Sequence, residues 1–549
     1  MVKRLIALSI ILSLALFLRA AGVEWSLPNA SHPMLTYHPD EGSMLAIVSH
    51  MNPAKGDINP NWFHYPHLHF YTLGAAFYAG NLAHVVKLVP SEDYYLKHPD
   101  QTAQLYRIGR MVSVLYGLAT IALLFYWGYG MGFPAVGWIS AFLLAVLPLH
   151  VVNSSFMTVD VPMTFWVTLC LGLICVYLKR SQHTPSLYFL MFVVAGIATA
   201  VKYPAFLLLV PIWIAVWRKG EMAHIFSILT SRRLWLGYLS MALTFFVLSP
   251  YVILDFKHSY PSIFGLYKSV VIEKQESSTL PLHQLYHLLY SMPVGWGIPL
   301  MFASVFAVAW ALYRRRSTDS VVAIWVLFYF VFFSIPEEKY LRYLLPIAPA
   351  TCYLVAQMLV DIYQLAQERK VKFAVAVMAL GILGMTLVKG LAYSHLLSET
   401  DARDLAYAWM QQNIAQGAGL TLMELPYAYS PPGLYEFEDK GWGLYRKSPR
   451  YKLAILDAVR PNTTIELRGQ YFVLSDYDLM RPLLFPDVYP IKNYFISQLL
   501  GNHEQLRVVF DEKVKAKLGP FSFDRGYVPE DWLYINPRQL IIQRISHAS

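Results

Sequence analysis

About eleven apolar runs, each near the length a helix needs to cross a bilayer, constrain this chain more than any motif in it. They fall at roughly 5–22, 106–128, 134–152, 161–178, 186–201, 203–217, 234–254, 295–313, 320–335, 343–362 and 373–392. Hydrocarbon offers a backbone no hydrogen-bonding solvent, so each run must satisfy its own N–H and C=O groups, which a helix does. The expectation is a polytopic α-helical membrane protein. Only 14% of the 549 residues are charged and 56% are hydrophobic, with a mean hydropathy of +0.41. Soluble chains carry ~25% charged residues. So few charges cannot coat several soluble domains, and disorder, collagen and coiled coil are excluded by the same figures.

Charge then orients the runs. Lys3 and Arg4 precede the first, Arg19 interrupts its end, and no clean small-x-small cleavage site follows, so it reads as an uncleaved helix with a cytoplasmic N-terminus. Basic clusters follow at Lys179-Arg180, Arg218-Lys219, Arg232-Arg233, Arg314-Arg315-Arg316 and Arg369-Lys370. They occupy alternate connections, as the positive-inside rule expects, provided 186–201 and 203–217 count as two spans. The net charge of +9 is accounted for in this way, and no nucleic-acid partner is implied. Cys170, Cys175 and Cys352 lie in apolar segments and form neither a disulfide framework nor a CxxC metal motif.

This topology leaves the loops 24–105, 153–160 and 255–294 on the outer face, with residues 393–549. In the first loop Met44, Ile47, Val48 and Met51 recur at helical spacing, which predicts an amphipathic helix on the membrane surface. The run 68–89 is long enough to span, but spanning would invert every later loop, so it reads as interfacial or re-entrant. After 392 the composition changes. β-like runs at Leu420–Leu425, Tyr451–Leu456, Gln470–Ser475 and Leu540–Ile545, with a helix at 401–414 opened by Asp401, predict a small extracytoplasmic α/β domain over 393–549, beside a membrane domain over 1–392.

Ionisable groups near a bilayer are costly, so their positions carry information. Asp40 and Glu41, in Tyr37-His38-Pro39-Asp40-Glu41, either cap the helix that follows or serve as a general base or metal ligand. Asp160 either caps the next span or joins Asp40 across a shared cleft. Lys202 sits between two short runs, placed to snorkel or to hold a phosphate. Arg342, in Arg342-Tyr343-Leu344-Leu345-Pro346, is an interfacial anchor or a bidentate phosphate clamp. Arg107 and Arg110 open the second run on the same face. His64, His67 and His69 cluster without the spacing of a zinc site, and no Walker A, Rossmann, HExxH or GxSxG pattern occurs.

The order HPDE, YPxL, RxxR before a serine, DxP, KYP, SPY and RYLLP resembles the membrane glycosyltransferases of the GT-C superfamily. The branch it is most like is the family 39-like one, related to protein O-mannosyltransferases and the aminoarabinose transferase of lipid A. The likeness covers nearly the whole chain, including Ser249-Pro250-Tyr251, an outer-loop Glu273, and Pro529-Glu530-Asp531-Trp532. It implies transfer of a sugar from a polyprenyl-phosphate donor to an acceptor hydroxyl on the extracytoplasmic face, with inversion. By that resemblance Asp40 is the base, Asp160 assists the acceptor or a metal, and Glu41 supports Asp40. Lys202 and Arg342 bind the donor phosphate, with Arg110 contributing. The implied acceptor is a glycan, lipid or protein, and the implied setting is a multi-pass cell membrane protein of envelope glycosylation. The 255–294 loop is too short for the β-trefoil domain of eukaryotic protein O-mannosyltransferases, so a protein acceptor is not specifically implied. A divalent metal at Asp40 and Asp160 stays open, and no other cofactor is implied. The rival reading is a transporter or lipid flippase without glycosyl transfer. Such proteins usually place charged sites at the bilayer midplane, often within repeats. Here the charges gather at one face.

Overall fold

The structure is a computed structural model describing residues 2–182, 184–221, 227–268, 283–336, 339–423, 428–437, 445–447, 450–455, 469–524 and 526–545. Glu273, Glu337 and Glu338 lie outside the described residues.

Every one of the apolar runs is helical, but their lengths differ. Arg4–Glu24, Pro99–Gly130, Asp160–Lys179, Ser317–Ser334, Leu341–Leu365 and Arg369–Leu396 are each long and apolar enough to cross a membrane. A seventh candidate pairs His287–Gly295 with Ile298–Arg314 across a 119° bend. Pro134–Val146, Pro185–Val201 and Tyr203–Arg218 are shorter apolar helices, and Arg232–Leu248 has 17 residues.

Proline explains much of the shortening. Pro148 has no N–H to donate, so the run 134–152 breaks at the extended Leu147 and restarts as Pro148–Asn153. Lys202 is likewise extended (φ −153°, ψ 129°) ahead of the 3-10 turn Tyr203–Leu208, so 186–217 is two helices and not one kinked helix. Where the chain bends after Gly295, the Lys389 ammonium donates to the carbonyls of Pro293 and Val294, at 2.7 and 2.6 Å. Carbonyls freed from a helix and buried away from water need such a partner. Arg19 serves the same end, bonding the carbonyls of Ala15 and Ala145 and Nδ1 of His150. The backbones of Pro99–Gly130 and Pro134–Val146 approach so closely at Gly128 and Gly137 that a Cβ on either would collide with the other's main chain.

The loop 24–105 is structured. Glu41–His50 is a helix, although its face is not left on a surface: Met44 and Ile47 are buried against Leu68–Leu82 and Pro99–Gly130. Leu68–Leu82 has 15 residues, short of a span.

The C-terminal portion carries a five-stranded mixed sheet. Its strands are β1 Gly419–Leu422, β2 Lys452–Ile455, β3 Tyr471–Ser475, β4 Leu506–Glu512 and β5 Gln539–Arg544. Their order is β2-β1-β3-β5-β4, with β1 parallel to both neighbours and β5 antiparallel to both of its own. β3 alternates. Phe472 and Leu474 pack with Leu479, Phe495 and Ile496 of the helices Asp476–Leu484 and Pro490–Gly501, whereas Val473 packs with Met410 of Ala402–Asn413. Helices on both faces make β3 a continuous apolar run.

Candidate active site

The HPDE turn sends its two acids to different partners. Glu41 turns inward to Arg110: Nε donates to Oε1 at 2.8 Å and Nη2 to Oε2 at 2.7 Å, and both side chains are fully buried. The N–H of Met157 and the Thr36 hydroxyl donate to the same carboxylate. Nη1 of Arg110 donates to the carbonyls of Val23 and Trp25. Burial would raise the Glu41 carboxyl, but Arg110 outweighs it and holds the group below its usual range. This network ties four segments of the chain together. The Arg110 guanidinium, expected from sequence to contribute to the phosphate pocket, is engaged here by Glu41 and by carbonyls. Arg107 forms a separate surface pair with Glu24.

Asp40 occupies the N-cap of Glu41–His50 without capping it. Its Oδ2 instead accepts from Nη1 of Arg342 at 2.6 Å. Asp160 opens Asp160–Lys179, and there too the carboxylate is used elsewhere, on Lys202 Nζ at 2.6 Å. The capping alternative fails for both acids, since each is spent on a distant cation. The pairs share one cluster. The Lys202 ammonium lies 5.3 Å from the Tyr343 ring centroid and 5.7 Å from that of Tyr65, and the Arg342 guanidinium lies 4.9 Å from that of Tyr340. Burial would raise the Asp40 carboxyl, but Arg342, His38 and Lys202 together bring it below the usual range. At 26% exposure the Asp40 side chain is the most open of the four, against 12% for Arg342, 10% for Lys202 and 3% for Asp160. Nε of Arg342 is buried with no hydrogen-bond partner among the described residues.

Other residues at the site had no role assigned from sequence. The Asp531 carboxylate accepts from the backbone N–H groups of Leu341 and Arg342, at 2.8 and 2.9 Å, and so holds the turn Leu341–Ile347 that presents Arg342. Burial pushes Asp531 up to about 6, against the pull of Arg342 and the two N–H groups. Tyr534, three residues on, packs its ring 4.6 Å from that of His38. Nδ1 of His38 accepts from the Asp40 N–H, and burial depresses its pKa to about 4. The Tyr37 hydroxyl donates to Asp404, while Arg403 lies 3.8 Å over the Tyr37 ring and forks onto Asp401. The C-terminal portion thus grips the HPDE turn from two sides. Among the described residues no three His, Cys, Asp or Glu side chains gather as a metal would require, and both cluster carboxylates are held by cations. This donor set does not fit a resident divalent metal.

Residues 93–260, which include Arg110, Asp160 and Lys202, match the family model for dolichyl-phosphate-mannose-protein mannosyltransferase. An uncharacterized protein of Aquifex aeolicus (strain VF5) is 25% identical over 224 residues, which are 40% of this chain and 42% of that protein. The ArnT structure from Cupriavidus metallidurans, bound to undecaprenyl phosphate, aligns over 98% of both chains at 15% identity and a TM-score of 0.50. The oligosaccharyltransferase of Archaeoglobus fulgidus aligns over 74% of this chain and 55% of its own, at 14% identity and a TM-score of 0.49. The fold is therefore ArnT-like from end to end, and residues 93–260, which carry half of the charged cluster, are similar to the mannosyltransferase family; together the two likenesses support a GT-C-type membrane glycosyltransferase.

Proposed function

We propose that the protein transfers a sugar from a polyprenyl-phosphate donor to an acceptor hydroxyl at the extracytoplasmic membrane surface, with inversion. The observation that carries this reading is the single cluster of two carboxylates and two cations, in which Arg342 keeps a buried, unsatisfied Nε–H. The donor phosphate takes the place of the carboxylates on Arg342 and Lys202. Asp40 then accepts the acceptor's hydroxyl proton as the oxygen bonds to the anomeric carbon. The anomeric carbon–oxygen bond to phosphate breaks, its electron pair leaves with the polyprenyl phosphate, and the two cations hold the charge. Asp160, released from Lys202, orients the acceptor. Glu41 and Arg110 keep the HPDE turn in place. Residues 1–392 form the catalytic membrane domain and 393–549 the outer domain, with a cytoplasmic N-terminus. The undecaprenyl phosphate bound in the ArnT structure and the mannosyltransferase-type segment support a lipid-linked donor. The acceptor is a glycan, lipid or protein hydroxyl.

The test uses protein in liposomes with a panel of polyprenyl-phosphate sugars and candidate acceptors, following free polyprenyl phosphate by mass spectrometry. Acceptor-dependent release by the wild type and none by Asp40→Asn is the expected result. Undiminished release by Asp40→Asn would remove the base assignment.

A further inference from the structure

Four ring nitrogens lie buried without a partner at the start of the helix Leu68–Leu82: Nδ1 and Nε2 of His67 and the same two atoms of His69. The two residues are 0% and 1% exposed. Native proteins rarely leave buried polar atoms unpaired, because the desolvation cost is then uncompensated. The two rings differ in surroundings. His67 is collared by the rings of Phe63, Tyr71 and Tyr251, and its backbone N–H donates to Ser249 Oγ. His69 shares the buried face of its helix with Phe70, Leu73 and Phe77, and that helix packs against Pro185–Val201, which ends at Lys202. The charge of the Asp160 carboxylate acts on the His69 ring, and Tyr65, four residues before it, faces the Lys202 ammonium. His69 therefore borders the charged cluster.

A metal does not account for the orphan nitrogens, since no third ligand converges on them among the described residues. Burial depresses the His69 pKa to about 4, so near neutrality the ring carries one N–H donor and one acceptor nitrogen. A phosphodiester anion only accepts hydrogen bonds, and Lys202 and Arg342 already supply its counter-charge. A sugar hydroxyl both donates and accepts, which is what a neutral imidazole matches.

We propose that His69 is a specificity-determining residue that hydrogen-bonds a hydroxyl of the glycosyl group of the donor, beside Asp160. This rests on the lipid-phosphate donor reading given above. The experiment compares binding of bare undecaprenyl phosphate with binding of undecaprenyl-phosphate mannose and undecaprenyl-phosphate glucose to the full-length protein in nanodiscs. The wild type should prefer one sugar-bearing lipid, and His69→Phe should lower affinity for that lipid ~10-fold while bare undecaprenyl phosphate binds as before. His69→Gln, which keeps a donor and an acceptor, should recover part of the preference. Equal weakening of bare and sugar-bearing lipids in both His69→Phe and His69→Leu would make the ring structural and overturn the proposal, as would unchanged binding of both. A wild type that binds bare and sugar-bearing lipids equally overturns this inference alone. A wild type that binds none of them overturns the donor reading as well.

Discussion

Asp40 is charged but poorly basic while Arg342 holds it, because the guanidinium stabilises the carboxylate and works against its protonation. In the proposed reaction such a base needs its cation drawn away, the part given there to the arriving phosphate. Asp40→Asn should therefore cost turnover ~10²–10⁴-fold, the usual worth of a general base, and leave undecaprenyl phosphate binding intact or tighter. Single-turnover kinetics alongside a lipid-binding titration separates the two effects, and a parallel loss of both would contradict the assignment. Arg342→Ala and Lys202→Ala should do the converse and weaken binding of bare undecaprenyl phosphate. Arg110 offers a contrast at the same scale. Removing it strands a buried Glu41, which typically costs about 3–5 kcal/mol. Arg110→Ala should lower the unfolding temperature in detergent, with the folded fraction keeping its affinity for the lipid phosphate. That a carboxylate and several cations would meet on one face was legible in the sequence, since charges at a bilayer surface are too costly to be incidental. Which cation meets which acid was not, because Arg110 and Arg342 carry the same charge and only packing sends one to Glu41 and the other to Asp40.

Among elements, the turn Leu341–Ile347 matters most, since its position depends on a carboxylate 190 residues away in sequence. The Asp531 pKa is raised in the folded protein to about 6, so the folded state holds the proton more tightly than the unfolded one. Its contribution to stability is thus most favourable at low pH and declines as pH rises from its ordinary value of 3.8 to about 6. Activity should respond with the opposite sign. The ionised carboxylate accepts from both N–H groups, and protonation below about 6 converts one oxygen into a donor and loosens the turn. The pH–rate profile should show an acid limb near 6, and Asp531→Asn should remove that limb at reduced activity. An unshifted limb in the variant would place the titration elsewhere. No local pattern reveals this contact. Strands β1, β2, β3 and β5 were legible because their runs are apolar, as was the helix opened by Asp401, whose carboxylate accepts from the Arg403 N–H. Strand β4 was missed for a physical reason. It lies at the sheet edge, and Arg507, Asp511 and Glu512 leave it only the three-residue apolar run Val508-Val509-Phe510.

At the scale of the molecule, the five-stranded sheet, the HPDE turn and the charged cluster lie at one end, joined through Asp531, Tyr534 and Arg403. Whichever side of the membrane holds the sheet therefore also holds the chemistry. By the positive-inside rule the alternating basic connections predict Arg314-Arg315-Arg316 in the cytoplasm and the sheet outside. All three native cysteines are buried, so an introduced one should label against a low background. Glu504→Cys, in an exposed turn ahead of β4, should react with a membrane-impermeant maleimide in intact spheroplasts. Ser317→Cys, exposed beside the arginine cluster, should react only after permeabilisation. The reversed pattern would turn the whole protein over. A donor would then have to be presented on the cytoplasmic leaflet, because the Asp40–Arg342 pair cannot change sides without the sheet that fastens it.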